Sequence, residues 1–328
     1  MWRELTGARI FITGGTGFFG IWLLESIAAA NDILKVDVRA TVLSRNPQHF
    51  ALKNPRLAAR PEFEWLTGNT ENFVFPTKHC DYVMHFATAS AAELGAGDAA
   101  LTLTTLLGTK RVLQFASTCH TKRLLLASSG AVYGRQPADR SHIPETCTTA
   151  PILQQRTSAY GEIKRMSELM CALTPDLDCV ITRGFSFVGP FLPLTDKFAI
   201  GSFIRQALAG GPIRIHGDGT PVRSYLYAAD LVIWLMTLLL KGRPNQPYNV
   251  GSDQAISLAE LAQSIAATDG TLMVEIASVP TWGHTERYVP EIQRARNEFG
   301  LDVLTPLPLA LSQTVRWAKQ WVERSARQ

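Results

Sequence analysis

Short runs of apolar and β-branched residues alternate with longer helical patterns in the first half of the chain. The first run, residues 8–13, ends at two glycines. Residues 38–43 form a second run of the same kind, so strand, helix and strand follow in the order of a parallel crossover unit. The helix between them is predicted from the spacing of Ile21, Leu23, Leu24, Ile27 and Ala28.

The alternation of strands and helices continues to Gly184. Strands that alternate with helices predict an α/β fold built on a Rossmann-type, doubly wound parallel sheet. The pattern places further strands at 82–87, 123–128 and 179–184, and helices at 101–117 and 158–173.

A glycine-rich turn joins the first predicted strand to the first predicted helix. Its glycines Gly14, Gly17 and Gly20 permit a tight turn and a close approach of backbone to a pyrophosphate. The N-terminus of the following helix offers N–H groups to the same anion. The spacing therefore predicts a dinucleotide site. We also assign Thr16, Phe18 and Phe19 to this site.

The end of the second strand bears on the choice of nicotinamide cofactor. An acid at this point binds the ribose hydroxyls, whereas a cation accommodates a 2′-phosphate. The strand ends in Ser44 and Arg45 without an acid, and arginine offers a planar fork of donors to a phosphate. NADP(H) is favoured and NAD(H) stays open, with Ser44 and Arg45 in the predicted cofactor site.

Three residues in the middle of the chain suit hydride transfer to a carbonyl. Tyr160 and Lys164 are four apart in a predicted helix and share one face, and Ser129 follows the preceding strand, where parallel sheets bind ligands. Reduction of a carbonyl creates an alkoxide that needs a proton, which Tyr160 can supply. We expect the Lys164 ammonium and a nicotinamide cation to lower the pKa of Tyr160, and Ser129 to orient the reacting oxygen.

His85 is a further candidate base, in the predicted strand at 82–87. Its neighbours in that strand are apolar, so we favour a buried structural histidine over a catalytic one.

Composition excludes several other classes of function. Lys and Arg number 32 against 28 Asp and Glu, and the net charge of +4 comes without a basic run, which argues against a nucleic-acid partner. The longest apolar run, residues 231–240, is about half as long as a helix that spans a membrane. No secretory signal pattern is recognised. The five irregularly spaced cysteines suit free thiols. We expect a soluble, cytoplasmic protein with no membrane partner, and no metal site is predicted.

These motifs together resemble the extended short-chain dehydrogenase/reductases, in particular the NAD(P)-dependent epimerase/dehydratase family that acts on nucleotide-diphosphate sugars. The resemblance extends over nearly the whole chain, and its three C-terminal motifs are the ones specific to sugar nucleotides. The matching segments are residues 13–20, 81–87, 128–134, 160–164, 183–190, 217–230 and 248–252.

The resemblance implies a role for each catalytic candidate. It makes Tyr160 the acid/base, places Lys164 on the nicotinamide ribose and uses Ser129 to polarise the sugar oxygen. It also implies that Asn69 lies near the adenine and that Ala87 contacts the cofactor.

The resemblance also implies a substrate site in the C-terminal part of the chain. It assigns Arg223 to the substrate pyrophosphate, and two phosphates independently call for a cation in this loop-rich region. Arg287 is the candidate for a second arginine, and Ser186 stands where the family often has an asparagine that contacts the substrate.

One departure from the family pattern narrows the reaction. Dehydratases of the family place an Asp-Glu pair directly after the catalytic serine or threonine, and this chain has Gly130 and Ala131 there, so 4,6-dehydration is not expected. Two reactions stay open: NADPH-dependent reduction of a keto sugar nucleotide of the 4-keto-6-deoxy type, with Tyr160 as acid, and 4-epimerisation with tightly bound NAD. Arg45 favours the reductase, and the intact trio of Ser129, Tyr160 and Lys164 disfavours a catalytically silent protein.

Turn signals and the motifs together predict two domains. An NAD(P)-binding Rossmann domain is expected over residues 1–184, with 225–251 returning to it. A smaller C-terminal substrate domain is expected over residues 185–224 and 252–328, with helices at 257–267 and 309–323. Because family members commonly pair through two long helices per subunit, the helices at 101–117 and 158–173 predict a homodimer.

Overall fold

The structure, a computed structural model, describes residues 1–89, 93–94, 99–268, 270, 272–278 and 285–325. The chain divides into two compact units. Unit 1 comprises Met1–Gly134, Ala150–Gly184 and Val232–Tyr248, and unit 2 comprises Arg135–Thr149, Phe185–Leu231 and Asn249–Gln328.

The described residues form one large sheet and three small ones, together with ten α-helices and three short 3-10 turns. The strands are β1 (Arg9–Thr13), β2 (Arg39–Ser44), β3 (Phe63–Thr67), β4 (Tyr82–His85), β5 (Arg123–Ser129), β6 (Cys179–Gly184), β7 (Phe187–Val188), β8 (Ile213–Ile215), β9 (Val222–Arg223), β10 (Leu226–Tyr227), β11 (Pro247–Val250), β12 (Ile256–Ser257), β13 (Val274–Ile276) and β14 (Arg287–Tyr288). The helices are α1 (Phe18–Leu34), α2 (Pro47–Lys53), α3 (Pro55–Ala58), α4 (Ala99–Thr118), α5 (Ala159–Ala172), α6 (Ala199–Leu208), α7 (Ala228–Lys241), α8 (Leu258–Ala267), α9 (Gln293–Phe299) and α10 (Leu307–Ser325). The 3-10 turns are Trp2–Leu5, Gly130–Tyr133 and Arg156–Ser158.

The large sheet has the order β11-β6-β5-β4-β1-β2-β3 over the described residues. Strands β1 to β6 pair in parallel, and the chain moves from β1 first to one side and then to the other. This is the predicted doubly wound sheet, and its reversal of strand order beside β1 is the point where such sheets bind ligands. The predicted fold class is confirmed.

The core of unit 1 forms because the central strands are apolar on both faces. In β5 every residue after Arg123 is buried, as expected of a parallel strand covered by helices on both sides. Phe11 of β1 packs against Phe73 and Phe115, with ring centroids 5.3 and 4.6 Å away. Each fully buried aromatic or aliphatic side chain of this kind contributes about 1.5–3 kcal/mol.

Several regular elements were not predicted from the sequence, among them β3 and α6. The strand β3 lies at the edge of the sheet, and its residues after Phe63, among them the exposed Glu64 and the half-buried Trp65, do not form an apolar run. The helix α6 lies within residues 185–222, a segment whose glycines and prolines are typical of turns and loops. Its residues Ile200, Phe203, Ile204 and Ala207 are buried with helical spacing, so the amphipathic pattern was present between the turns.

No helix in the described part of the chain is long and apolar enough to span a bilayer.

Candidate active site

The glycine turn after β1 is built for close backbone contact. Gly14 has a φ of 71°, and a Cβ at this position would lie 2.7 Å from the backbone nitrogen of Ala87. A Cβ on Gly20 would lie 2.2 Å from Gly15, so only glycine lets α1 pack onto the turn. The turn is also joined to the end of β4, because Ala87 N–H donates to Thr13 Oγ1 at 3.2 Å.

The N-terminus of α1 fits a dinucleotide pyrophosphate. Gly17 is the N-cap residue, and no side chain among the described residues caps this end of the helix. A Cβ on Gly17 would meet only Gly14 O, at 3.4 Å, so the surface next to the first turn of the helix is open to an approaching group. Backbone N–H groups and the helix dipole there favour an anion. Thr16 and Phe18 are half-buried in the same turn, and the Phe19 ring contacts Phe86 at 5.8 Å.

The end of β2 exposes Arg45 next to a buried serine. Arg45 pairs with no carboxylate among the described residues, while Ser44 Oγ accepts the N–H of Asn46 at 3.3 Å. Asn46 in turn caps α2 by accepting the N–H of His49 at 2.9 Å. Asn69 is exposed in the loop after β3, where its carbonyl accepts the N–H of Phe73 at 3.0 Å.

Ser129 and Tyr160 meet at the carboxyl end of β5. Ser129 ends the strand, and its Oγ accepts the N–H of Ala131 at 3.1 Å. The Tyr160 hydroxyl is a neighbour of the Ser129 side chain. Burial raises the pKa of Tyr160, and the contact with Ser129 lowers it only in part.

In the protein alone, Lys164 does not lower the pKa of Tyr160; the predicted lowering by Lys164 together with a nicotinamide cation stays a prediction. Lys164 Nζ lies 5.8 Å from the centroid of the Tyr160 ring and donates to the carbonyl oxygen of Ala127 at 2.6 Å. Burial of the Tyr160 hydroxyl therefore dominates. Burial also lowers the pKa of Lys164 to about 8, and the charge of Glu168 opposes this change.

A polar network beside the trio was missed from the sequence. Glu168, one helical turn beyond Lys164, accepts hydrogen bonds from Ser128 Oγ at 2.5 Å and from Arg183 at 3.0 and 2.7 Å. Arg183 also donates to the Tyr133 hydroxyl at 2.9 Å. The spacing of Lys164 and Glu168 was the available signal, since residues four apart share a helix face.

His85 is a structural histidine, as predicted. It is 4 % exposed, and its two ring nitrogens lie 2.7 Å from Thr13 Oγ1 and 3.2 Å from Thr109 Oγ1. Burial, with a smaller contribution from the Lys164 charge, lowers the pKa of His85 to about 3. The ring is therefore neutral at physiological pH.

Three of the four predicted substrate residues lie in unit 2, and the fourth, Ser129, lies in unit 1. Arg223 is in β9 and Arg287 in the adjacent β14, in a small sheet of order β12-β9-β14. Arg223 Nη2 donates to Glu286 Oε1 at 2.6 Å, and the Arg223 side chain is 23 % exposed. Ser186 is half-buried beside β7, and its carbonyl accepts the N–H of Leu226 at 3.0 Å. The structure thus brings the two arginines onto neighbouring strands.

Comparison with known proteins agrees with this architecture. UDP-glucuronic acid decarboxylase 1 of Xenopus tropicalis is 27 % identical over 331 residues, covering 97 % of this chain and 74 % of the relative. The crystal structure of a dTDP-glucose 4,6-dehydratase from Streptomyces venezuelae with NAD bound has a TM-score of 0.79 at 25 % identity, covering 95 % of this chain and 97 % of that one. A UDP-glucose 4-epimerase from Thermotoga maritima, at 21 % identity, shares the fold with a TM-score of 0.80 and covers 96 % of this chain and 99 % of its own.

The family profile described as NAD dependent epimerase/dehydratase matches residues 10–251, which include the glycine turn, the trio of Ser129, Tyr160 and Lys164, and Arg223. Since the match spans most of the chain, this protein belongs to the NAD dependent epimerase/dehydratase family.

Proposed function

We propose that the protein reduces a keto sugar nucleotide of the 4-keto-6-deoxy type with NADPH. One observation is central: Ser129, Tyr160 and Lys164 are grouped on β5 and α5, while the residues after Ser129 are Gly130 and Ala131. Neither Gly130 nor Ala131 offers an acidic or basic side chain that could assist the elimination of water. The glycine turn and the start of α1 would hold the dinucleotide, which supplies the hydride when bound.

Tyr160 would donate the proton that the reduced oxygen needs. Burial raises the pKa of Tyr160, so its hydroxyl is protonated at neutral pH, the form required of an acid in reduction. Ser129 would share the substrate oxygen with Tyr160, and Lys164 would bind the nicotinamide ribose. Arg45 supports NADPH because its guanidinium is exposed and has no carboxylate partner in the described part of the chain.

We assign cofactor binding to unit 1 and substrate binding to unit 2. Arg223 and Arg287 would bind the pyrophosphate of the nucleotide sugar from adjacent strands, and Ser186 would contact the substrate. Arginine suits this role because its planar donors pair with phosphate oxygens.

A 4-epimerase with tightly bound NAD is the second candidate. It is favoured by the description of the family as NAD dependent, because an epimerase regenerates its cofactor in each turnover. In that reaction Tyr160 would first accept a proton, so the enzyme would need to overcome the raised pKa of this hydroxyl.

Separate incubations of the purified protein and NADPH with UDP-, dTDP-, GDP- or CDP-linked hexoses, with their 4-keto-6-deoxy forms and with a UDP-uronic acid test the proposal. Loss of NADPH in a one-to-one ratio with the keto sugar is expected, and Tyr160→Phe is the matched inactive control. Isomerised hexose without net change of cofactor would identify an epimerase. Release of carbon dioxide from a UDP-uronic acid, the reaction that the name of the Xenopus relative describes, would also contradict the proposal.

We further propose a homodimer formed through α4 and α5, which pack against each other in unit 1. Leu103 and Leu107 on α4 are 57 % and 43 % exposed, and Met166 and Leu169 on α5 are 46 % and 51 % exposed. Each pair is spaced as one helix stripe, and a second copy of the same two helices would cover both stripes.

A cytoplasmic location is proposed from the cysteines. All five are free thiols, which suits a reducing compartment.

A further inference from the structure

Consecutive residues at the end of β5 contact successive turns of α5. The carbonyl oxygen of Ala127 accepts a hydrogen bond from Lys164 Nζ at 2.6 Å, and the Ser129 side chain is a neighbour of the Tyr160 hydroxyl. Tyr160 and Lys164 are one helical turn apart, so the two contacts align the helix with the strand. The positions of both catalytic candidates therefore depend on how β5 is held against α5.

Glu168 makes the third contact of this series. One turn beyond Lys164, its Oε1 accepts the hydroxyl of Ser128, the residue between the two strand positions already in contact. Arg183 of β6 binds both oxygens of the same carboxylate, with Nε at 3.0 Å and Nη2 at 2.7 Å. The Glu168 and Arg183 side chains are only 12 % and 14 % exposed, so this fork-like ion pair is largely shielded from water.

The charge of Glu168 also acts on Lys164. On the same helix the titratable neighbours are Tyr160 and Glu168, on β4 His85 is neutral, and on β6 Arg183 is paired with Glu168. Burial lowers the pKa of Lys164 to about 8, and Glu168 is the charge that opposes this. Without the carboxylate, the buried Arg183 guanidinium would lose its ion-pair partner and Lys164 the charge that opposes the effect of burial.

We propose that Glu168 is a positioning residue for the trio: it holds the end of β5 through Ser128 and places a carboxylate one helical turn from Lys164. Glu168 acts through other side chains, and nothing in its contacts places it on the reacting atoms. A buried ion pair of this kind adds little net stability to the fold by itself. A role in positioning the side chains of the trio is therefore favoured over a role in stability alone. The kinetic part of this inference rests on the proposed function, whereas the protonation of Lys164 does not.

Titration of Lys164 by NMR, in protein labelled with ¹³C at the lysine side chains, tests the charge effect without substrate. The signal is assigned by its loss in Lys164→Arg. In Glu168→Gln the pKa of Lys164 is expected to fall by about one unit. Glu162→Gln is the matched control, because Glu162 lies on the same helix but pairs with Arg165, 3.6 Å away, at the surface. An unchanged Lys164 pKa in Glu168→Gln would overturn the proposal.

The pH profile of kcat/KM provides the second readout. Its alkaline limb is expected to move to lower pH in Glu168→Gln, by the same amount as the Lys164 pKa, and to stay in place in Glu168→Asp. A merely structural role would lower the amount of folded enzyme without moving the limb.

Two milder variants apply if Glu168→Gln does not fold. Ser128→Ala removes the hydroxyl and Glu168→Asp withdraws the carboxylate by one methylene, and both keep the charge. Each is expected to lower kcat about tenfold through misplacement of the trio, with the Lys164 pKa unchanged. Wild-type kcat in both variants would refute the positioning role. If no substrate is reduced at all, the proposed function fails, and the Lys164 titration still decides the charge effect.

Discussion

The side chains of Ser129 and Tyr160 are neighbours at the carboxyl end of β5, where Ser129 lowers the pKa of the Tyr160 hydroxyl. Ser129 is fixed in turn, because its Oγ accepts the N–H of Ala131 at 3.1 Å. A tyrosine held in this way can pass a proton to an oxygen that is bound at the same point. The contact therefore connects the position of Tyr160 directly with its proposed chemistry.

Tyr160→Phe is expected to lower kcat about a hundredfold or more, because it removes the proton donor and keeps the ring in place. The dissociation constant of NADPH should change little. Stopped-flow measurement of NADPH oxidation, together with a fluorescence titration of the cofactor, checks both parts. Tyr82→Phe is the control. Tyr82 begins β4 and lies beside Lys122, away from the carboxyl ends of the strands where Tyr160 lies. Near-normal turnover in Tyr160→Phe would remove this residue from the mechanism.

Arg45→Ala is expected to raise the dissociation constant of NADPH about tenfold or more and to leave that of NADH nearly unchanged. The reason is that an arginine with no competing carboxylate among the described residues can bind a 2′-phosphate with charge-assisted hydrogen bonds. Arg39→Ala, at the other end of β2, is the control variant. Calorimetric titration with the two cofactors measures the difference, and equal effects on both would exclude this role of Arg45.

His85 should make the free energy of unfolding depend on pH. Its pKa is about 3 in the folded protein and 6.5 when unfolded, so between these values only the unfolded chain binds the proton. The free energy of unfolding is therefore expected to fall by about 1.4 kcal/mol for each pH unit below 6.5, and this contribution is constant above 6.5. His85→Gln should remove this part of the slope in urea unfolding from pH 7 to 5. Replacement of the exposed His49 by Gln should leave the slope unchanged. Equal slopes in the wild type, His85→Gln and His49→Gln would contradict the assignment of this pH dependence to His85.

Much of the fold was predictable because the pattern that defines it is local. The apolar run of β1, the glycine turn and the spacing of Leu23, Leu24 and Ile27 specify strand, turn and helix within adjacent residues. The contact of Glu168 with Arg183 was not predictable, because it depends on how α5 packs on β6. The burial of the Tyr160 hydroxyl, which raises its pKa, was not predictable for the same reason: burial is a property of the packed structure, whereas the sequence showed only a neighbouring lysine.

Leu169→Lys is expected to convert the proposed dimer into a monomer, because it places a charge in the apolar stripe of α5. Sedimentation velocity measures the change in mass. Leu52→Lys is the matched control: Leu52 is 80 % exposed on α2, outside the proposed interface. A wild-type protein that sediments as a monomer at micromolar concentration would refute the dimer, as would a Leu169→Lys variant that stays dimeric.

Arg223→Gln is expected to raise the KM for the nucleotide sugar about tenfold to a hundredfold with kcat nearly unchanged. A charged hydrogen bond to phosphate is worth about 1.5–3 kcal/mol, and binding distant from the reacting carbon is equal in ground and transition states. Arg214→Gln is a close control, because Arg214 forms the same type of ion pair with Glu275, at 2.8 Å, on the neighbouring strand of another small sheet. Calorimetric binding of UDP and dTDP separates the effect from catalysis. If Arg223→Gln binds both diphosphates as tightly as the wild type, Arg223 does not hold the pyrophosphate, and its pairing with Glu286 is structural.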